Sequence, residues 1–328
     1  MKKNSLMLAL LLVFVLIVSA CGNGSDNQTT GGAAPATSGD SNAAQTPAQP
    51  AELTIKHKLG ETKVKKNPQK VVVFDYGVLD SLDRLGVEVT GIPQANIPPY
   101  LAKYKDAKYK NVGSLVEADF EKVSAIKPDL IIISGRLQTA YEELGKIGPT
   151  IFLGVDNAKY METYTENAKT LGHIFGKESQ VDTELAKVNE TVKTVSGKVK
   201  ANGKNALIIL ANEGAISAYG AGSRFGIIHD VLGFTPVDPG IEVSTHGKPV
   251  SFEYIAEKNP DYLFIVDRGA AVGGEAAAKK TIENELVKKT KAFKDGNIVY
   301  LDQNYWYLSG GGLISVSEMV KEIEKSVK

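Results

Sequence analysis

The chain alternates short, continuously apolar runs with stretches in which apolar residues recur every three or four positions. KVVVFDY (70–76) is followed by VLDSLDRLG, and the same succession returns through VEVTGIP, FEKVSAIKP, DLIIIS, TAYEELGKI and PTIFLGV. An apolar run without alternation suits a strand buried on both faces, and the three-to-four spacing suits a helix packed over it. The rhythm predicts an α/β lobe, 52–178, with a mostly parallel sheet covered by helices and a small hairpin, LTIKHKLGETKVKK, at its start. NALIILAN, FGIIHDVLG, FEYIAEKNP, DYLFIVD, TIENELVKK, NIVYLD and a last helix from about Ser315 predict a second lobe of the same plan, 203–328.

Between the lobes Val181, Leu185, Val188, Val192, Val195 and Val199 follow one another at steps of four and three. They share one face of a helix over 179–202, which would extend on the order of 30 Å and join the two lobes.

The two lobes also repeat each other. FEKVSAIKPDLIIISGR (120–136) aligns without a gap on FEYIAEKNPDYLFIVDR (252–268), 132 residues further on, and Phe, Glu, Pro, Asp and the closing Arg match. The chain has four arginines, Arg84, Arg136, Arg224 and Arg268, against thirty-four lysines. Arg84 falls within a helical pattern and reads as a surface charge or a local ion pair. Arg136 and Arg268 close the matched strands at their carboxyl ends, and Arg224 lies in the loop YGAGSRFG. Ligands of open α/β sheets bind outside the carboxyl ends of the strands. Three guanidinium forks converging there would suit an anion with several oxygen acceptors. The alternative, an ordinary ion pair such as Asp267 with Arg268, stands beside that reading.

The first twenty residues, MKKNSLMLALLLVFVLIVSA, have the basic start, apolar run and small-residue end of a secretory signal. Val18-Ser19-Ala20-Cys21 resembles a lipobox, and lipidation of Cys21 would account for a single cysteine in an exported chain. A membrane-spanning anchor followed by an incidental cysteine is the alternative. Residues 22–51 contain no large apolar side chain and read as a flexible tether with a reach of about 30 Å. The chain as a whole, 43% hydrophobic with zero formal charge, has the make-up of a folded protein and shows no nucleic-acid footprint. His57, His173, His229 and His246 sit in unlike contexts, which argues against a direct zinc or manganese receptor. GAGSRFG spaces its glycines one residue too wide for a dinucleotide fingerprint, and neither a Walker sequence nor a G-x-S-x-G elbow is present. No enzyme is expected, and no intrinsic cofactor.

The repeat, the connecting helix, the lipobox, GSRFGIIHDVLG, VSTHGKPVSFEYIAEKNPDYLFIVDRG and YWYLSGGG together resemble the siderophore-binding lipoproteins of iron ABC importers. The resemblance lies closest to the ferric-petrobactin and catecholate receptors of bacilli, and covers the chain beyond the tether. It implies two α/β lobes bridged by one long helix. Arg136, Arg224 and Arg268 would then bind a ferric siderophore, and His246 and Tyr307 would complete the iron coordination sphere only where the chelate leaves positions open. Glu121 and Glu253, each opening a helix of the repeat, would contact the membrane permease dimer; a carboxylate favoured by the helix dipole is the plainer reading. Trp306 is expected in the cleft wall beside Tyr307, or else as a cover for the sheet end. The implied protein is a monomer, lipid-anchored on the extracytoplasmic face of the cell membrane. A haem or corrinoid receptor of the same importer type is the alternative, and the sequence does not choose among siderophores.

Overall fold

The computed structural model describes residues 51–274 and 278–327. The expected signal peptide, Cys21 and all but the last residue of the expected tether lie outside them.

The first lobe is built on five parallel strands in the order Lys110–Asn111, Gly91–Ile92, Val71–Val73, Leu130–Ile133, Thr150–Phe152. Both faces are covered, which explains the continuous apolar runs. Val71, Val73, Leu130 and Ile132 face one core cluster, and Val72, Ile131 and Ile133 face another. The hairpin Glu52–His57 with Gly60–Lys65 is antiparallel and leans on the edge strand, where the Thr62 hydroxyl donates to the Thr150 carbonyl at 2.7 Å.

The second lobe orders its strands Lys248–Val250, Ala215–Tyr219, Asn205–Asn212, Tyr262–Asp267, Ile298–Leu301, with Thr235–Pro236 paired to the start of Asn205–Asn212. Its centre is parallel, as expected, but Ala215–Tyr219 runs antiparallel to Asn205–Asn212. The sequence pattern did not separate this strand from the loop that follows. The turn between them holds Glu213 at φ 50° and Gly214 at φ 88°, the pair of positive values that closes a two-residue hairpin. An acidic residue followed by glycine between apolar runs was the available signal.

The repeat extends beyond its matched letters. Asp119 and Ser251 occupy equivalent positions and cap the helices Phe120–Ile126 and Phe252–Lys258. Both helices end on left-handed residues, Lys127 at φ 53° and Asn259 at φ 45°, each followed by proline. Asp129 then accepts the backbone N–H of Lys70, and Asp261 that of Asn205, so each copy ties its strand to the parallel strand beside it.

A single helix, Glu178–Asn202, joins the lobes, and Val181, Leu185, Val188, Val195 and Val199 on it are buried. Arg84 pairs with Glu184 of this helix at 2.9 Å, a contact across a hundred residues rather than a local one. The last helix, Leu313–Ser326, packs on the connecting helix and on the first helix, Tyr76–Arg84. One apolar core therefore runs through both lobes.

Candidate functional site

The site is organised by one irregular turn. After the strand Ile298–Leu301 the chain makes a single π-helical turn, Asn304–Leu308, and leaves through Gly310, Gly311 and Gly312 into the last helix. Carbonyls at the end of so short a helix have no intrahelical partner. At the start of the turn the Asn304 carbonyl also accepts the Ser309 hydroxyl at 2.9 Å. That of Tyr307 is met by two guanidinium groups from different lobes, Arg136 at 2.8 Å and Arg224 at 3.1 Å.

Arg136 is delivered by the 3₁₀ turn Gly135–Ala140 that follows the strand Leu130–Ile133, and Arg224 by the loop ahead of the helix Ile227–Asp230. The Arg224 guanidinium also lies 4.4 Å from the centre of the Tyr307 ring, within range of a cation–π contact. Burial, and then the like charge of Arg136, push Arg224 below the usual guanidinium range. Arg268 is placed differently. It donates through Nε to the Tyr307 hydroxyl at 3.0 Å and through Nη1 to Asn212 Oδ1 at 2.7 Å, and it does not line the cleft between the lobes.

None of these three arginines has a carboxylate partner within ion-pairing distance among the described residues. The neighbouring Asp267 is engaged elsewhere, accepting the backbone N–H groups of Ala270 and Ala278. Asp75, the carboxylate that does line the cleft, is occupied by its own helix: Oδ1 accepts Gly77 and Val78 N–H, and Oδ2 accepts the Ser134 hydroxyl at 2.6 Å. The cleft has a volume of about 480 Å³ and presents Arg136, Arg224 and Lys58 as cations, with Gln138, Asn157 and Tyr307 as further polar groups. Such a cavity can take an anion whose oxygens replace or join the Tyr307 carbonyl.

The other expected residues are scattered more widely. His246 is exposed on the loop whose Val243, Ser244 and Thr245 line the cleft, and is not itself a lining residue. Trp306 touches the cleft but is only 3% exposed, and its indole N–H is held by Glu322 of the last helix at 2.8 Å. The same carboxylate accepts the Asp302 N–H through its other oxygen, bracing the turn. Glu121 and Glu253 are exposed in the first turns of their helices. The Glu253 carboxyl is held below its usual range, first by a hydrogen bond with Ser251. Among the described residues no cluster of three or more His, Cys, Asp and Glu could hold a metal ion. Sequence reasoning did not single out Lys58, Asp75 and Ser134: Asp75 and Ser134 follow the strands Val71–Val73 and Leu130–Ile133, where the strand ends were the available signal, whereas Lys58 joins the site through the packing of the hairpin turn.

Two α/β lobes, one bridging helix and a cationic cleft define a solute-binding protein. The chain belongs to the periplasmic binding protein family, whose model matches residues 71–305. It is 48% identical to the petrobactin-binding protein YclQ of Bacillus subtilis over the full length of both chains. The crystal structure of YclQ superimposes with a TM-score of 0.82, covering 85% of this chain and 99% of that one. The ferric-anguibactin-binding protein FatB of Vibrio anguillarum is 32% identical over 84% of this chain and 88% of its own. The periplasmic catecholate-siderophore binding protein VctP of Vibrio cholerae superimposes with a TM-score of 0.81 at 38% identity, over 84% of this chain and all of that one. These relatives are binding proteins, not enzymes.

Proposed function

We propose that this chain is an extracytoplasmic lipoprotein that captures an anionic ferric siderophore of the catecholate, petrobactin-like class and delivers it to an ABC permease dimer. The observation that carries the reading is the meeting of Arg136 and Arg224, from opposite lobes, on one backbone oxygen, with no carboxylate among the described residues within ion-pairing distance of either. Two like charges held in a partly desolvated site favour an anionic occupant. Ferric catecholates keep hard, negatively charged oxygens around the metal, which guanidinium forks can meet while the iron stays in its chelate. The names of the relatives support the same class, and the haem or corrinoid alternative finds no support among them.

In this reading Arg268 holds the Tyr307 phenol, and Tyr307, with His246 from the adjacent loop, reaches the iron only when the chelate leaves positions open. Glu121 and Glu253 meet the permease from one lobe each, and Cys21 carries the lipid that keeps a monomer at the membrane. The test is to mix the purified protein with ferric catecholate, ferric hydroxamate, haem and a corrinoid and to follow the coloured species retained after desalting. Retention of the ferric catecholate above the others is expected. Equal retention of a neutral ferric hydroxamate overturns the anionic cleft.

A further inference from the structure

The two copies of the repeat do not present the same surface. The helices Phe120–Ile126 and Phe252–Lys258 each follow an edge strand of their own sheet, Lys110–Asn111 and Lys248–Val250, at the carboxyl end of the parallel strands. The cleft is lined by residues at that same end, among them Ser134, Arg136 and Gly154. A partner that touches both helix starts therefore faces the side on which the cleft opens.

In the first lobe a closed turn precedes the helix. Gly113 and Ala118 pair as an isolated antiparallel bridge, and the Ser114 hydroxyl accepts the N–H groups of Val116 at 3.3 Å and Glu117 at 3.0 Å. Gly113 sits at φ 115°, and a Cβ there would collide with the Glu117 carbonyl and the Asp119 nitrogen, so the two sides of the turn are in direct contact. This turn presents Val116, 68% exposed, and the helix presents Phe120, 41% exposed. Four large apolar side chains are exposed among the described residues, and two of them meet here. Glu117 follows Val116 and Glu121 follows Phe120, both exposed and without a cation in ion-pairing distance among the described residues. The neighbouring Lys122 is taken by Asp119 at 2.8 Å. In the second lobe Lys248 stands at the position of Val116, within a strand paired to Ala215–Tyr219. Phe252, the counterpart of Phe120, packs against the core of its lobe, and Lys248 lies 5.1 Å from the centre of the Tyr254 ring.

We infer that Val116 and Phe120 form a docking knob, carried by the first lobe alone, which seats in an apolar recess of the permease rimmed by basic side chains and so fixes which half of the permease each lobe meets. The inference rests on the proposed contact of Glu121 and Glu253 with the permease and adds to it an orientation. An apolar centre bordered by charge is the anatomy of a protein interface, and a turn already closed by its own hydrogen bonds loses little freedom when it is buried. Glu117 and Glu121 call for the basic rim and repel an anionic membrane surface. The second lobe, with a lysine in place of the valine, cannot fill the same recess without burying an unpaired charge.

The test measures uptake of radioactive iron from the ferric complex of 3,4-dihydroxybenzoate by cells whose own copy of the protein is replaced by each full-length variant. Val116→Glu, and separately Val116→Ser combined with Phe120→Ser, should lower uptake by about tenfold. The purified variants should retain the same ferric complex within about twofold of the parent, with unchanged thermal unfolding as the control for folding. Lys248→Ser should leave uptake near the parent value, and an equal fall there would overturn the orientation by showing that the two lobes dock alike. Unchanged uptake in both knob variants, with Glu121→Arg and Glu253→Arg still lowering it, removes the knob and keeps the permease contact. If neither reversal lowers uptake, or the parent supports none above a strain lacking the protein, the permease reading itself fails and the knob falls with it. Dimerisation of the parent in sedimentation that Val116→Glu abolishes would assign the patch to a second copy of the chain and overturn the inference. Retention of the Cys21→Ser protein on phosphatidylglycerol vesicles, lost when Val116→Glu is added, would assign it to lipid and overturn it as well.

Discussion

Asp80, in the first helix of the first lobe, accepts the backbone N–H of Ser315, in the last helix of the chain, at 3.0 Å. The same carboxylate accepts Ile314 N–H at 3.2 Å and the Tyr100 hydroxyl at 3.1 Å, and Ser81 accepts Leu313 N–H at 3.0 Å. Gly312, at the capping position of the last helix, has no side chain able to do this. One lobe therefore supplies the cap for a helix that follows the binding turn of the other. Asp80 is fully buried, and burial raises its carboxyl from 3.8 to about 7 against the pull of its hydrogen bonds.

That shift has a sign. Between pH 4 and pH 7 the folded protein binds more protons at Asp80 than the unfolded chain does, so the stability contributed at this residue falls as pH rises through the window. Relative to Asp80→Asn, the parent protein should lose urea resistance from about pH 4.5 to about pH 7.5. Parallel stability curves for the two proteins would show that Asp80 does not titrate there.

Gly312→Ala tests the same junction sterically. A Cβ at that position runs into Asp80 Oδ1 and the Gly77 carbonyl, neither of which is the free end of a flexible side chain. A loss of about 1–3 kcal/mol in chemical denaturation is expected. Ligand affinity should fall with it, because the same segment positions Tyr307.

Arg136→Ala and Arg224→Ala should each weaken ferric catecholate binding by about 2–5 kcal/mol, the usual cost of removing one partner of a desolvated charge pair. Arg268→Ala should act through Tyr307. Its effect and that of Tyr307→Phe should be non-additive in a double-mutant cycle read by titration calorimetry, whereas simple addition would separate the two residues.

Glu121→Arg and Glu253→Arg should leave the affinity of the purified protein nearly unchanged and lower iron uptake in cells. Both side chains are exposed, so folding should lose only the small contribution of a first-turn carboxylate to its helix. Loss of ligand binding in either variant would move the residue from the permease face to the cleft.

Cys21→Ser should release the protein from the membrane fraction into the medium or leave an uncleaved precursor, as read by fractionation and mass. A chain that stays in the membrane fraction with a mass changed by no more than the substitution itself would show that Cys21 carries no lipid.

The sheets and the bridging helix were legible because their signals are local. Continuous apolar runs report strands covered on two faces, and the valines of 181–199 report one buried stripe. Arg136 and Arg224 were legible for a related reason, since strand ends and glycine loops mark themselves in sequence. The position of Arg268 behind Tyr307 was not, because both it and Arg136 close matching segments and the repeat gives no hint that their surroundings differ. Trp306 likewise carries the same letters whether it faces solvent or Glu322. The Asp80 cap spans more than two hundred residues, and an aspartate within a helical pattern reads as solvated until its partner is known.

The acceptor shared by Arg136 and Arg224 belongs to the main chain. Every residue type has that oxygen, so substitution at 307 can alter the ring and the phenol but cannot delete the atom on which the two lobes meet. A scan of side chains would pass over it, recording the arginines and missing their common partner. Chance replacement of Tyr307 would leave this crossing point standing while changing what the cavity offers to a ligand. Anchoring on the backbone thus lets the pocket's chemistry diversify without unfastening the two halves that form it.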